Sequence, residues 1–224
     1  MLDDSAQLNT IDHPIFLESI AFIQSHLSCS GLDHLEQQVL QRVIHSSGDF
    51  HLQSLLRFTP GACHKGIQAI HAGAPILTDT AMAAAAVIPM SSRTANLPVR
   101  TVLEWAPEKS VPGTTRTAIG IERAWIEMTH EFFDSRSPIV LIGSAPKALE
   151  VLLDLVDKGA NPPSLIVGMP VGFIGVAESK ERLSKSGLSN ILLDGSRGGA
   201  ALAAAAINSL LRASICEDLS SPTD

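Results

Sequence analysis

Tyrosine is absent from this 224-residue chain, whose aromatic residues are seven phenylalanines and two tryptophans. Any pocket must therefore be walled by aliphatic side chains, and stacking on a flat ring such as a flavin is hard to arrange. Charge is also sparse, at 17% of residues, and its balance is acidic: 16 basic residues against 23 acidic ones give −7. That sign argues against a nucleic-acid backbone as the main partner, although a local basic cluster can still hold small anions. The cysteines, Cys29, Cys63 and Cys216, are scattered with no Cys-x-x-Cys pair. This pattern speaks for reduced thiols in the cytoplasm and against a disulfide framework or zinc knuckle. No His-x-x-x-His pair occurs among the eight histidines, and the adjacent Cys63 and His64 diverge on a helix, so no metal site is expected. Gly-x-Ser-x-Gly is missing, and no glycine-rich turn has dinucleotide-fingerprint or P-loop spacing. The acidic start, Met1-Leu2-Asp3-Asp4, lacks a signal-peptide pattern. The most apolar windows, Met82–Met90 and Ala200–Leu211, are too short to span a bilayer. A soluble cytoplasmic protein with neither a nucleic-acid nor a membrane partner is expected.

What is present suits one domain covering residues 1–224, with an ordered core of about 11–212. A chain of this size buries roughly 70% of the surface it exposes when unfolded. The flanks Met1–Thr10 and Cys216–Asp224 are expected to be poorly ordered. After Pro14, which suits a first helical turn, Ile15, Phe16, Ile20, Ile23 and Leu27 recur at helical spacing. A second helix opens at Asp33 with Glu36 three residues on, carries Leu35, Val39, Leu40, Val43 and Ile44, and can end at Gly48. Thr59-Pro60 begins a third helix that stops near Gly73. Short aliphatic runs follow at Ile76-Leu77, Val99–Leu103, Ile139–Ile142, Leu165–Val167 and Ile191–Leu193. Helical segments separate them: Ala81–Ile88, about Thr117–Phe132, Ala145–Lys158, Val176–Ser186 and Gly199–Leu211. Alternating helices and continuously apolar strands predict an α/β fold, a flavodoxin-like, doubly wound, mainly parallel sheet of five strands. Helices should cover both faces, a helical segment should precede the sheet, and ligands should sit beyond the strands' carboxyl ends.

Several places could carry chemistry. Arg42 and His45 lie one turn apart on the second helix, on a polar stripe with Gln38 and Gln41. This stripe is either a solvated face or an acid–base histidine beside a carboxylate-binding arginine. A helix C-terminus favours imidazolium and Arg42 disfavours it, so the sign of the pKa shift stays open. Gly143-Ser144-Ala145-Pro146 and Gly195-Ser196-Arg197-Gly198-Gly199 each follow a strand and open a helix, which offers backbone N–H groups to an anion. Both are equally readable as tight turns without a ligand. The loop Gly168–Gly175 is too apolar for a solvated turn and could line a slot or pack on a neighbouring helix or subunit. Arg116 at the start of a helix is an anion contact or a surface charge. Ser19 is a polar pocket group or a small residue at a helix contact, and its place in line with Ile15 and Ile23 favours the contact; Glu178-Ser179-Lys180 reads as an ordinary polar helix start.

Taken in order, these segments resemble the precorrin-8X methylmutase family, from about His13 to Leu211. The carrying residues are His13-Pro14-Ile15 with Ser19, Arg42-Val43-Ile44-His45 with Gly48, and Gly73-Ala74-Pro75-Ile76-Leu77 with Asp79 and Met82. Thr115-Arg116, Gly143–Leu149, Gly168–Phe173, Glu178-Ser179-Lys180 and Gly198-Gly199 with Asn208 complete the set. The resemblance implies an isomerase of corrin biosynthesis that moves a methyl group from C-11 to C-12 of precorrin-8X or cobalt-precorrin-8, giving hydrogenobyrinate or cobyrinate, without a cofactor. It implies His45 as general acid, substrate contacts at Ser19 and Arg42, and a homodimer. Arg116, Arg197 and Gly198 are the further groups expected to meet the carboxylates of this wide, flat substrate. A non-catalytic tetrapyrrole carrier of the same pathway is the alternative, and a flavin or nucleotide binder a weaker one resting on topology alone.

Overall fold

The computed structural model describes residues 13–28, 31–109, 111–131 and 136–218, so Cys29 and most of both expected flanks lie outside it. The helical start consists of α1 (Pro14–His26) and α2 (His34–Ser47). Pro14 occupies the first turn of α1, and Asp33 with Glu36 forms a complete capping box on α2. Gly48 closes α2 in the left-handed conformation, φ 66°, which releases the chain right after His45. Of the apolar positions on α1 only Ile23 is buried, and Ile15 and Phe22 stand in solvent. On α2 the predicted stripe is buried throughout.

A 3₁₀ turn (Phe50–Ser54) leads into β1 (Leu56–Phe58), α3 (Ala62–His71), β2 (Ile76–Thr78), α4 (Ala81–Arg93) and β3 (Val99–Thr101). Then come α5 (Arg116–Glu131), β4 (Ile139–Ile142), α6 (Pro146–Asp157), β5 (Leu165–Gly168), α7 (Val176–Lys185), β6 (Asn190–Leu193) and α8 (Ala200–Asp218). Helix α4 runs past Pro89, where the sequence pattern stops it, because its end remains buried through Met90 and Ser91.

The sheet has six strands in the order β1-β6-β5-β4-β2-β3. All five expected strands are present and mutually parallel, in the flavodoxin-like order once β1 is set aside. The sixth, β1, is an antiparallel edge on β6, and this corrects the strand count. Only three residues long, with exposed Arg57 at its centre, it carries no apolar run to reveal it. Two cores fill the faces. One packs α2, α3 and α8 against Ile76, Ile139, Leu165 and Ile191. The other packs α5 and α6 against Leu77, Val140, Ile166 and Leu192, with Trp125 fully buried. The alternation of strand side chains between the two lists is the period-two pleat of strands buried on both faces. Cys63 lies in the first core, and burial pushes its thiol pKa well up, aided by Glu36 and Asp33. It is an inert packing residue. Among the described residues no helix is long and apolar enough to cross a membrane.

Candidate active site

Two i, i+3 pairs face each other across the contact between α1 and α2. Phe16 and Ser19 share one face of α1, and Arg42 and His45 share one face of α2, as helical spacing requires. Ser19 Oγ lies 2.8 Å from His45 Nδ1. The Phe16 ring stands edge-on to the imidazole at a centroid distance of 5.0 Å, and the Arg42 guanidinium lies over that same ring at 4.6 Å. The phenyl ring thus orients both the arginine and the histidine, a role its place in an apolar stripe did not reveal. A serine hydroxyl both donates and accepts, so it can hold His45 Nδ1 in the neutral or the protonated state. Nε2 is then the nitrogen left to meet a ligand. Partial burial first, and the Arg42 charge second, hold the His45 pKa below its ordinary value. Desolvation and Arg42 therefore outweigh the helix C-terminus. Arg42 also forms one wall of a cleft of ≈ 190 Å³ with Phe16, Ile20, His34, Gln38 and Arg212.

The other predicted residues lie along the carboxyl edge of the sheet. Arg197 sits in the turn between β6 and α8 and forms an ion pair with Asp49, one residue past the cap of α2. This pairing brings the Gly195–Gly199 turn to the end of the helix that bears His45. Gly198 is required by packing: a Cβ there would come 2.1 Å from the Met169 carbonyl oxygen. Arg116 opens α5 and donates from Nε to the Pro107 carbonyl at 2.7 Å. Among the described residues no contact joins Arg116 to the His45 group. Met169 and Pro170 are buried, whereas Phe173 and Ile174 are 91% and 89% exposed, so the apolar loop is packed at its base and bare at its tip.

At one of the two glycine turns the structure decides between the two readings. The Gly143-Ser144-Ala145 turn lies at the β2–β4 switch point, where doubly wound sheets bind anions, and its amides are already taken. Asp79, at the end of β2 and fully buried, accepts through Oδ2 from the N–H groups of Gly143, Ser144 and Ala145 at 3.0, 2.6 and 2.8 Å. The chain supplies its own carboxyl oxygen there. Burial raises the Asp79 pKa, and the three amide bonds oppose it. The polar helix start at Glu178-Ser179-Lys180 is corrected, since Ser179 and Lys180 are both buried.

Comparison with known proteins places these features in a family. The family model described as precorrin-8X methylmutase matches residues 14–213. The precorrin-8X methylmutase of Pseudomonas aeruginosa is 38% identical over 198 residues, covering 88% of this chain and 93% of that protein. The cobalt-precorrin-8 methylmutase of Synechocystis sp. is 34% identical, covering 90% and 95%. The solved precorrin-8X methylmutase of Thermus thermophilus superposes with a TM-score of 0.80 at 33% identity, covering 94% of this chain and 98% of that one. On the matched length, identity and shared fold, this chain belongs to the precorrin-8X methylmutase family.

Proposed function

We propose that this protein is an isomerase of cobalamin biosynthesis that moves a methyl group from C-11 to C-12 of precorrin-8X or its cobalt-containing counterpart, with His45 as general acid. The observation that carries the reading is the Ser19–His45 hydrogen bond of 2.8 Å, with Arg42 one turn away in a chain of this family. Ser19 fixes Nδ1, and Nε2 delivers a proton to a ring nitrogen of the macrocycle. Protonation draws electron density from the conjugated ring, the methyl group migrates between adjacent carbons, and the proton returns to the imidazole. Atoms and electrons balance without a redox partner. A positioned acid of this kind contributes about 10²–10⁴-fold. The lowered His45 pKa makes its imidazolium a stronger acid. The many carboxylates of the substrate, held near Arg42, raise that pKa on binding and load the proton.

The cleft of ≈ 190 Å³ beside Arg42 is too small to enclose a whole tetrapyrrole with its arms. A homodimer that completes the slot is part of the proposal, supported by the bare Phe173 and Ile174 and by Phe22 and Met82, which are 58% and 67% exposed. Arg116, Arg197 and Gly198 are assigned to the substrate's acidic arms. A cytoplasmic location and a single domain over about residues 11–212 belong to the same reading, supported by the scattered thiols and the one shared sheet. The deciding experiment follows the visible spectrum of precorrin-8X and of cobalt-precorrin-8 with the purified protein. Conversion of at least one, abolished by His45→Ala while product still binds, is the expected result. Binding of both without conversion of either would establish a carrier instead.

A further inference from the structure

Lys180 is a charged residue only 2% exposed, and nothing in the proton-transfer step above uses it. It sits in the second turn of α7, and its Nζ reaches the turn between β6 and α8. There it donates to the Gly195 carbonyl at 2.8 Å and to the Arg197 carbonyl at 2.6 Å. Burial pushes its pKa down to about 8, with Asp194 opposing. A neutral amine retains two N–H donors for the two acceptors, so the turn is held in either state.

The peptide bonds here are trans, so a carbonyl drawn inward turns the following N–H outward. Lys180 therefore directs the N–H groups of Ser196 and Gly198 away from the protein interior. Among the described residues neither N–H makes a hydrogen bond. The rest of the turn is fastened separately: Ser196 O accepts from Gly172 N at 3.1 Å, and Gly199 N donates to Met169 O at 2.8 Å. The Arg197 guanidinium leaves from the same turn toward Asp49 and the end of α2. At the neighbouring turn Asp79 occupies the amides with the chain's own carboxylate. The Gly195–Gly199 turn thus keeps two amides that no group among the described residues occupies, open to an external anion.

We propose that Lys180 is a positioning residue for substrate binding: by holding the Gly195 and Arg197 carbonyls it aims the two amides of Ser196 and Gly198 at one carboxylate arm of the macrocycle. This rests on the reading that the substrate is a carboxylate-bearing tetrapyrrole. The ammonium itself, turned inward, touches no substrate. Its role is to convert a flexible glycine-rich turn into a fixed anion nest.

The test begins with turnover and product binding by the wild-type protein, and their absence would sink the functional reading itself. With turnover established, amide resonances are followed in wild type as hydrogenobyrinate is titrated in. Ser196 and Gly198 N–H signals are expected to move downfield together. Steady-state kinetics of Lys180→Met should show KM raised about 10–100-fold, the worth of a charge-assisted contact, with kcat changed less than about 3-fold. Singly amidated products, which cost the wild type affinity at one arm, should cost this variant nothing further at that arm. Static Ser196 and Gly198 signals, alongside perturbation near His45 and normal turnover, would overturn the role of Lys180 and leave the activity standing. An effect of Lys180→Met on melting temperature with KM unchanged would do the same. The wild-type titration decides the matter even if the variant fails to fold.

Discussion

Replacing Asp79 by alanine is expected to cost more stability than any other single change at the carboxyl edge of the sheet. Its Oδ2 accepts from three consecutive amides of the β4–α6 turn, at 3.0, 2.6 and 2.8 Å, and the side chain has no exposed surface. Alanine leaves all three donors without an acceptor, and each unsatisfied buried amide costs about 1–3 kcal/mol. The bonds to Ser144 and Ala145 are only part-buried, so water can recover some of that loss. The low end applies, ~3–5 kcal/mol, a large share of the ~5–15 kcal/mol that holds a typical domain folded. Asparagine keeps an oxygen for the same amides and places its NH₂ where Oδ1 lacks a partner, so its cost should be only ~1–2 kcal/mol. The two variants also differ from wild type in pH dependence. Burial raises the folded-state pKa of Asp79, so the native state binds the proton more tightly than the unfolded chain does. Stability from this group is complete below the unfolded value of ~3.9 and is lost as pH rises through the folded value. Urea unfolding followed by circular dichroism from about pH 4 to 8 measures both effects. Equal losses for alanine and asparagine, or an alanine loss under ~1 kcal/mol, would refute the idea that this carboxylate holds the turn.

The remaining expectations are shorter to state. His45→Ala should lower kcat by about 10²–10⁴-fold, and Ser19→Ala by less, because the imidazole keeps its edge contact with Phe16. The pH profile of kcat/KM should fall as pH rises through the depressed pKa of His45. Arg42→Gln removes the second cause of that depression and should move the falling limb to higher pH, while weakening substrate binding. An unmoved limb would mean that another group titrates. Gly198→Ala drives a Cβ into the Met169 carbonyl, which is backbone and cannot step aside, so unfolding experiments should show a loss of about 1–3 kcal/mol. Phe173→Asp and Ile174→Asp should shift a dimer toward monomer in sedimentation velocity with little change in melting temperature, since both side chains are about nine-tenths exposed.

The sequence alone determined the layout. Short continuous aliphatic runs located all five parallel strands, period-3.6 apolar patterns located the helices, and Asp33, Glu36 and Gly48 marked both ends of the helix that carries His45. These are local signals, each written within a few adjacent residues. Ordered motifs along the chain also carried the family, through resemblance. Spacing did not carry the rest, because it depends on groups far apart in the chain meeting at one edge. Strand β1 exists only because β6 offers it an edge, and Arg57 hides it from any apolar pattern. Asp79 reads as one more acidic residue until the turn 64 residues later closes over it. Lys180 reads as a solvated charge until the turn after β6 places two carbonyls within its reach. The sign of the His45 shift was undecidable for the same reason: a helix dipole and a neighbouring arginine compete locally. The burial that decides between them arises only in the tertiary fold, which sets Ser19 and Phe16 of α1 against the imidazole.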